Sequence, residues 1–168
     1  MMKFIGAALL LCGCGSFGVS LAAAHKREQY MLQRLIGALQ EMEWELKFRM
    51  TEMPELCRIA GTAAGGSLKQ IFLELARKLD AREVADISGS LNAILNDKEL
   101  PRRVRRNMRQ LGRSLGRFDL EGQLQGLQSV RMQCRKDLHA LEENNPERMR
   151  NYRTLALCAG AVLVIIFL

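Results

Sequence analysis

Apolar residues return in steps of three and four at Leu32, Leu35, Leu39, Met42, Leu46 and Met50, the spacing that puts them on one side of an α-helix. One helix is therefore predicted to run from the N-terminal apolar run to about Met50. At Thr51-Glu52-Met53-Pro54 it stops and restarts, with Thr51 or Glu52 at the break and Pro54 at an early helical position. A short helix to about Gly61 follows. The stretch Gly61-Thr62-Ala63-Ala64-Gly65-Gly66 separates it from a helix capped by Ser67, whose buried side is Leu68, Ile71, Phe72, Leu75 and Leu79.

A connector is predicted over 80–86, then a short helix over 88–95 built on Leu91, Ile94 and Leu95, then a helix from Pro101 to Gly116. Asp119 stands just ahead of a second long series, Leu120, Leu124, Leu127, Cys134, Leu138 and Leu141, in which Arg131 fills one slot. Asn144-Asn145-Pro146 is expected to interrupt that helix by a kink or a fresh start, because proline removes a backbone donor and turns the residue before it away from the helical region.

Both ends of the chain are uncharged. Phe4 to Ala24 gives 21 such residues, enough at ~1.5 Å rise each to cover the ~30 Å hydrocarbon thickness of a bilayer. Thr154 to Leu168 is a shorter second run, about 22 Å of helix at that rise, so this span is expected to thin the bilayer or to end near the far headgroups. Lys26, Arg27 and Arg34 follow the first run, Arg148, Arg150 and Arg153 precede the second, and only Lys3 lies outside them. The positive-inside bias then keeps the middle in the cytoplasm. The expected organisation is an N-terminal transmembrane anchor over 1–24, a cytoplasmic helical domain over 25–153 and a C-terminal transmembrane anchor over 154–168. Two processing readings compete for the first segment. Leu11-Cys12-Gly13-Cys14 resembles a lipobox, which would make the chain an exported lipoprotein or surface-anchored binding protein lipidated at Cys14, and Ala22-Ala23-Ala24 offers a signal cleavage site.

Composition agrees with helices throughout. Aromatic residues make up only 5% of the 168 residues and there are three prolines, which leaves little from which to build a sheet. The fold class is all-α, a helical bundle of about six helices in which two long antiparallel helices continue into the N- and C-terminal transmembrane spans. Of five cysteines only Cys57 and Cys134 lie outside the apolar ends, so no disulfide framework is legible.

The formal charge of +7 suits nucleic acid, an anionic membrane surface or an acidic protein, and only position can discriminate. Seven arginines crowd Pro101 to Phe118. Helical geometry places Val104, Met108, Leu111, Leu115 and Phe118 on one face and Arg102, Arg106, Arg109, Arg113 and Arg117 on the opposite one. That face is either solvated over a core-facing helix or a contact for acidic headgroups or an acidic patch on a partner; nucleic acid fits less well, because no aromatic residues interleave the charge. His25 and His139 make no metal set with Cys57 or Cys134. No phosphate-binding loop, nucleophile elbow or zinc-protease motif occurs, and the carboxylates fall mostly on exposed helix positions such as Glu41 and Glu45. No catalytic residue, cofactor or metal is expected.

The start Met2-Lys3-Phe4-Ile5-Gly6-Ala7, the stretch Ala38-Leu39-Gln40-x-x-Glu43-x-Glu45, Thr51-x-x-Pro54, and Leu115-Gly116-x-x-Asp119-x-x-x-Gln123 ahead of a terminal aliphatic run together resemble the stage III sporulation protein AB family. The Gly116, Asp119, Gln123 spacing is the most specific part of the resemblance. Independently of it, Gly116 can end the arginine helix in a left-handed conformation, Asp119 can cap the next helix, and Gln123 can brace the corner. The resemblance implies a subunit of the mother cell–forespore channel, in the mother-cell membrane facing the forespore, alongside other membrane subunits of that channel. It implies a cytoplasmic domain similar to the inner-membrane platform proteins of type II secretion and type IV pilus systems, and a stage III sporulation protein AA-type ATPase as partner, which is an argument from fold analogy.

Overall fold

A computed structural model of the chain describes the backbone of residues 2–83, 86–115 and 119–167 and the side chains of 23–83, 86–115 and 119–143. Six α-helices follow one another: α1 (Met2–Phe48), α2 (Met53–Ala64), α3 (Gly66–Asp80), α4 (Ile87–Asn96), α5 (Arg102–Ser114) and α6 (Leu120–Phe167). The described residues contain no strand. The chain divides into two units, one of Met1–Arg27 with Ala140–Leu168 and one of Glu28–His139.

The first unit holds the outer parts of α1 and α6 and with them both apolar ends. Among the described residues no helix is long and apolar enough to cross a membrane. The two anchors lie outside the described side chains save for Ala23 and Ala24, and Cys14 with its lipobox lies outside them too. The backbone of α6 is helical through Asn144-Asn145-Pro146, so no fresh helix starts there. A proline inside a helix forfeits one bond, the one its missing N–H would give to the carbonyl four residues back, and the turns on either side of it are otherwise complete.

In the second unit, α1 lays Leu32, Leu35, Leu39, Met42 and Leu46 into the core as the sequence predicts, joined by Met31 and Ala38. The seam ends sooner than expected. Helix α1 stops at Phe48, and Met50 is exposed with φ of 50°. Its last core slot is shared by Glu45, which is buried and not exposed as predicted. The Thr51 hydroxyl donates to Glu45 Oε2 at 2.7 Å and Arg49 lies 3.5 Å from Oε1, so this carboxylate ties together the corner where the chain leaves α1.

Glu52 and Pro54 behave as predicted, with the restart at Met53 and the proline in the first turn of α2. Helix α2 extends past Gly61 to Ala64, and the reversal into α3 is compressed into Gly65, whose φ of 65° and ψ of −175° suit a residue without Cβ. Helix α3 therefore begins at once, and Ser67 sits inside its first turn instead of capping it. Leu68, Ile71, Phe72 and Leu75 are buried and Leu79 is half-buried. An ion pair of Arg58 with Asp80 ties α2 to α3.

Helix α4 buries Leu91, Ile94 and Leu95 and is capped by Asp86, which accepts from the N–H groups of Ser88 and Gly89 at 3.1 and 2.9 Å. Its neighbour α5 comes close because Gly112 has no Cβ: one built there would stand 2.9 Å from Leu91 Cδ2 and 3.4 Å from Ser88 Cα.

Candidate functional site

Pro101 fixes the entry to α5 but has no side chain with which to cap it, and the first turn of that helix carries no acid. Arg102 and Arg103 stand instead at the positive end of the helix dipole, an unfavourable place for cations. The missing carboxylate comes from α1, where Glu28 Oε1 accepts from the Arg103 N–H at 3.3 Å.

From there α5 separates its residues as the sequence predicts. Val104, Met108, Leu111 and Leu115 are buried, and Arg102, Arg106, Arg109 and Arg113 are exposed. Arg117 and Phe118 lie outside the described residues, as does Gly116, so a left-handed stop at Gly116 is not described. The helix ends at Ser114, with Leu115 in an extended conformation whose N–H donates to Leu111 O.

Asp119 caps α6, accepting from the Gly122 N–H at 3.1 Å, a contribution of about 1 kcal/mol. Its own carbonyl accepts the Gln123 N–H at 3.0 Å, and the Gln123 side chain is half-buried. The inward stripe of α6 differs from the predicted one. Leu127, Val130, Cys134, Asp137 and Leu141 are buried, whereas Leu124 and Leu138 are half-buried and Leu120 is exposed. Leu120 is the first residue of the helix.

The arginine face is held from beneath by this stripe. Asp137 accepts from Arg106 Nη2 at 2.7 Å on both carboxylate oxygens, from Asn107 Nδ2 at 2.9 Å and from Gln133 Nε2 at 3.2 Å. Arg103 Nη1 donates to the Asp137 carbonyl at 3.0 Å. Burial pushes the Asp137 carboxyl up, but hydrogen bonds from Arg106 and Asn107, the Arg106 charge and the bond from Gln133 outweigh it and hold the group below the usual carboxylate range. The same burial raises the Cys134 thiol to about 12, with Asp137 adding to the rise and Arg106 opposing it; Cys57 is likewise raised to about 12 by burial, against the charge of Arg58. Neither cysteine is a nucleophile at neutral pH.

The arginines thus divide by task. Arg103 and Arg105 turn inward to carbonyls, the latter to Lys98 O at 2.9 Å, and Arg106 is clasped by Asp137. Arg109 donates to the exposed Asn96 Oδ1 at 3.2 Å. Arg102, Arg109 and Arg113 therefore present their charge outward, a one-sided display of planar guanidinium donors suited to carboxylate or phosphate oxygens. Asp137, Gln133 and Glu28 were not predicted as parts of this site. Asn107 offered a signal: it is a polar residue on the edge of an apolar stripe, which demands a buried partner.

A second tie joins the long helices, where Arg131 Nε and Nη2 donate to Glu43 Oε1 and Oε2 at 2.7 and 3.1 Å. Glu28 and Asp137 both meet Arg103, and Glu43 meets Arg131, so within this unit α1 and α6 run in opposite directions. Among the described residues no three His, Cys, Asp or Glu side chains gather in a way that could hold a metal ion.

A family model described as stage III sporulation protein AB matches residues 3–168, nearly the whole chain. Neither a curated relative nor a solved structure gives a match.

Proposed function

The chain belongs to the stage III sporulation protein AB family, which gives it a role in stage III of sporulation, and from that premise we propose that it is a membrane platform that docks a cytoplasmic secretion-type ATPase. The uncharged runs 4–24 and 154–168 are its anchors in the mother-cell membrane, and the helical domain between them faces the cytoplasm. The ATPase hydrolyses nucleotide; this chain performs no reaction and supplies the place where the motor is held.

The observation that carries this reading is the exposed set Arg102, Arg109 and Arg113 on one side of α5, backed by a clasp of Asp137 on Arg106 that fixes the helix beneath them. Exposed arginines on a rigid helix lose little freedom on engaging carboxylates and favour an acidic docking patch. The test is capture of a stage III sporulation protein AA-type ATPase by the full chain in detergent or nanodiscs. Reversal of Arg102, Arg109 and Arg113 to Glu is expected to abolish capture at moderate salt without lowering the melting temperature. Arg106 is left intact because its loss would also disturb Asp137. Equal capture by the reversed chain removes α5 as the docking surface.

A further inference from the structure

Helix α1 carries a second seam whose aromatic side chains the described residues leave exposed. Tyr30, Arg34, Gly37, Glu41, Trp44 and Phe48 follow one another in steps of four and three and lie within about 80° of one another around the helix. They sit about 160° from the buried seam of Leu32, Leu35, Leu39 and Met42. Three are large aromatic residues left 56%, 47% and 65% exposed at Tyr30, Trp44 and Phe48. Their rings are held in place: Arg34 stacks 5.1 Å from Tyr30 and also donates to its hydroxyl, Arg49 lies 5.1 Å from Trp44, and Trp44 packs 5.7 Å from Phe48. Preordered aromatic and arginine side chains in the open are what dominates binding energy at protein interfaces.

Gly37 sits midway between Tyr30 and Trp44, seven residues from each. A Cβ there would meet nothing within 4 Å. Glycine inside a helix lowers its stability, and no contact among the described residues requires it. It leaves a gap between two aromatic flanks through which another backbone can approach closely. Beside it, Glu41, Glu55, Arg58, Ile59, Thr62 and Ala63 line a shallow groove of about 390 Å³ between α1 and α2. Arg58 is already engaged by Glu55 and Asp80, and Glu41 brings a further carboxylate to the groove.

We propose that this seam docks an amphipathic helix of a different membrane-complex protein, one that packs across Gly37 between Tyr30 and Trp44, sets an acidic residue against Arg34 and places a lysine or arginine in the groove beside Glu41. A heptad seam with alternating charge calls for a helix. A lipid surface is the poorer occupant of the stretch from Tyr30 to Glu52, because its exposed cations, Arg34, Lys47 and Arg49, are interspersed with Glu41 and Glu52, and the basic pair that would attract headgroups, Lys26 and Arg27, precedes it. A second copy is excluded by charge together with the membrane reading above, on which this step rests. Copies anchored in one membrane would face each other in parallel, setting Arg34 against Arg34 and Glu41 against Glu41.

The test replaces Tyr30, Trp44 or Phe48, one at a time, by the photo-crosslinker p-benzoylphenylalanine in the full chain in sporulating cells, with the exposed Lys69 and Arg135 as positions off the seam. Expected are adducts from all three seam positions to one other protein. The attachment points should follow each other in steps of three and four along one helix that carries the acidic and basic residues named, and adducts from positions 69 and 135 to that helix should be absent. Gly37→Leu should cut the adducts at 30 and 44 about tenfold while the melting temperature stays the same or rises. Adducts to lipid, none at all, or yields unmoved by Gly37→Leu would overturn the proposal. Adducts between copies at like positions would overturn the partner assignment alone, and adducts joining position 30 of one copy to 44 of another would overturn the membrane reading with it. Capture of the ATPase through Arg102, Arg109 and Arg113 is a separate readout, so failure here and failure there are distinguishable.

Discussion

The two long helices meet the core of the same unit with different chemistry. Helix α1 fills it with Leu32, Leu35, Ala38, Leu39 and Met42, all fully buried and all apolar; its one buried carboxylate among the described residues, Glu45, comes at the last turn, and Glu28 and Glu43 are half-buried at its edge. Helix α6 sets Asp137 in the middle of its stripe, between Cys134 and Leu141, and flanks it with Arg131. An apolar seam holds by area and shape and leaves its register to be decided by fit. A carboxylate that collects three side-chain donors fixes one arrangement of α5 against α6, and with it the direction in which the remaining arginines point. The first helix supplies bulk stability; the second supplies orientation for the proposed docking face.

That division can be tested by removing one residue from each side. Leu39→Ala in α1 should cost about 2–5 kcal/mol, transfer and cavity together, because the leucine is fully buried. The loss is read from the urea midpoint at constant m-value. Capture through the arginine face should survive wherever the chain is still folded.

Asp137→Ala should cost less stability, about 1–3 kcal/mol, chiefly from leaving the fully buried Asn107 amide without its acceptor. The exposed Arg106 regains water and adds little. Unlike Leu39→Ala, this change should weaken partner capture in chains that remain folded. Its pH dependence has a definite sign: the folded-state value of Asp137 lies below the unfolded one, so its contribution is present above the usual carboxylate value of about 3.9 and is lost as pH falls through the folded value. The stability gap between the wild type and Asp137→Asn should therefore be constant above about pH 5 and close progressively below about pH 4. A gap that widened in acid would show that the clasp does not stabilise the charged carboxylate.

The same contrast explains what could be read from the sequence. Seams that repeat an apolar residue every three or four positions were legible: Leu32 to Leu46 in α1, Leu68 to Leu75 in α3, Val104 to Leu115 in α5, and with them six helices and the placing of Arg102, Arg106, Arg109 and Arg113 opposite the apolar face of α5. Polar residues in core slots were not. Glu45 looked like an exposed carboxylate because the Thr51 hydroxyl that donates to it lies beyond the end of the helix, and Asp137 went unremarked because two of its three donors lie 30 and 31 residues away on α5. Periodicity records the average environment of a helix face, whereas a buried charge is decided by one partner from another element. Met50 extended the α1 pattern by arithmetic, but the left-handed turn at that residue had already ended the helix. Ser67 had the chemistry of a cap, and Gly65 made the turn before it was needed.

The smallest effect belongs to the α5–α6 corner, where local chemistry was enough to predict the contact. Asp119 accepts the Gly122 N–H at the start of α6 and is exposed, so Asp119→Ala should cost about 1 kcal/mol. Asp119→Asn, which keeps an acceptor oxygen, should recover most of it. Because the cap acts on the first turn of α6, more than two turns before Gln133 and four before Asp137, it should leave the clasp and partner capture unchanged. Hydrogen exchange should speed up at Gly122 and Gln123 without spreading to Cys134. If exchange at Cys134 accelerated as well, the corner and the clasp would form one cooperative piece, and the orientation of the arginine face would depend on how α6 begins as much as on Asp137.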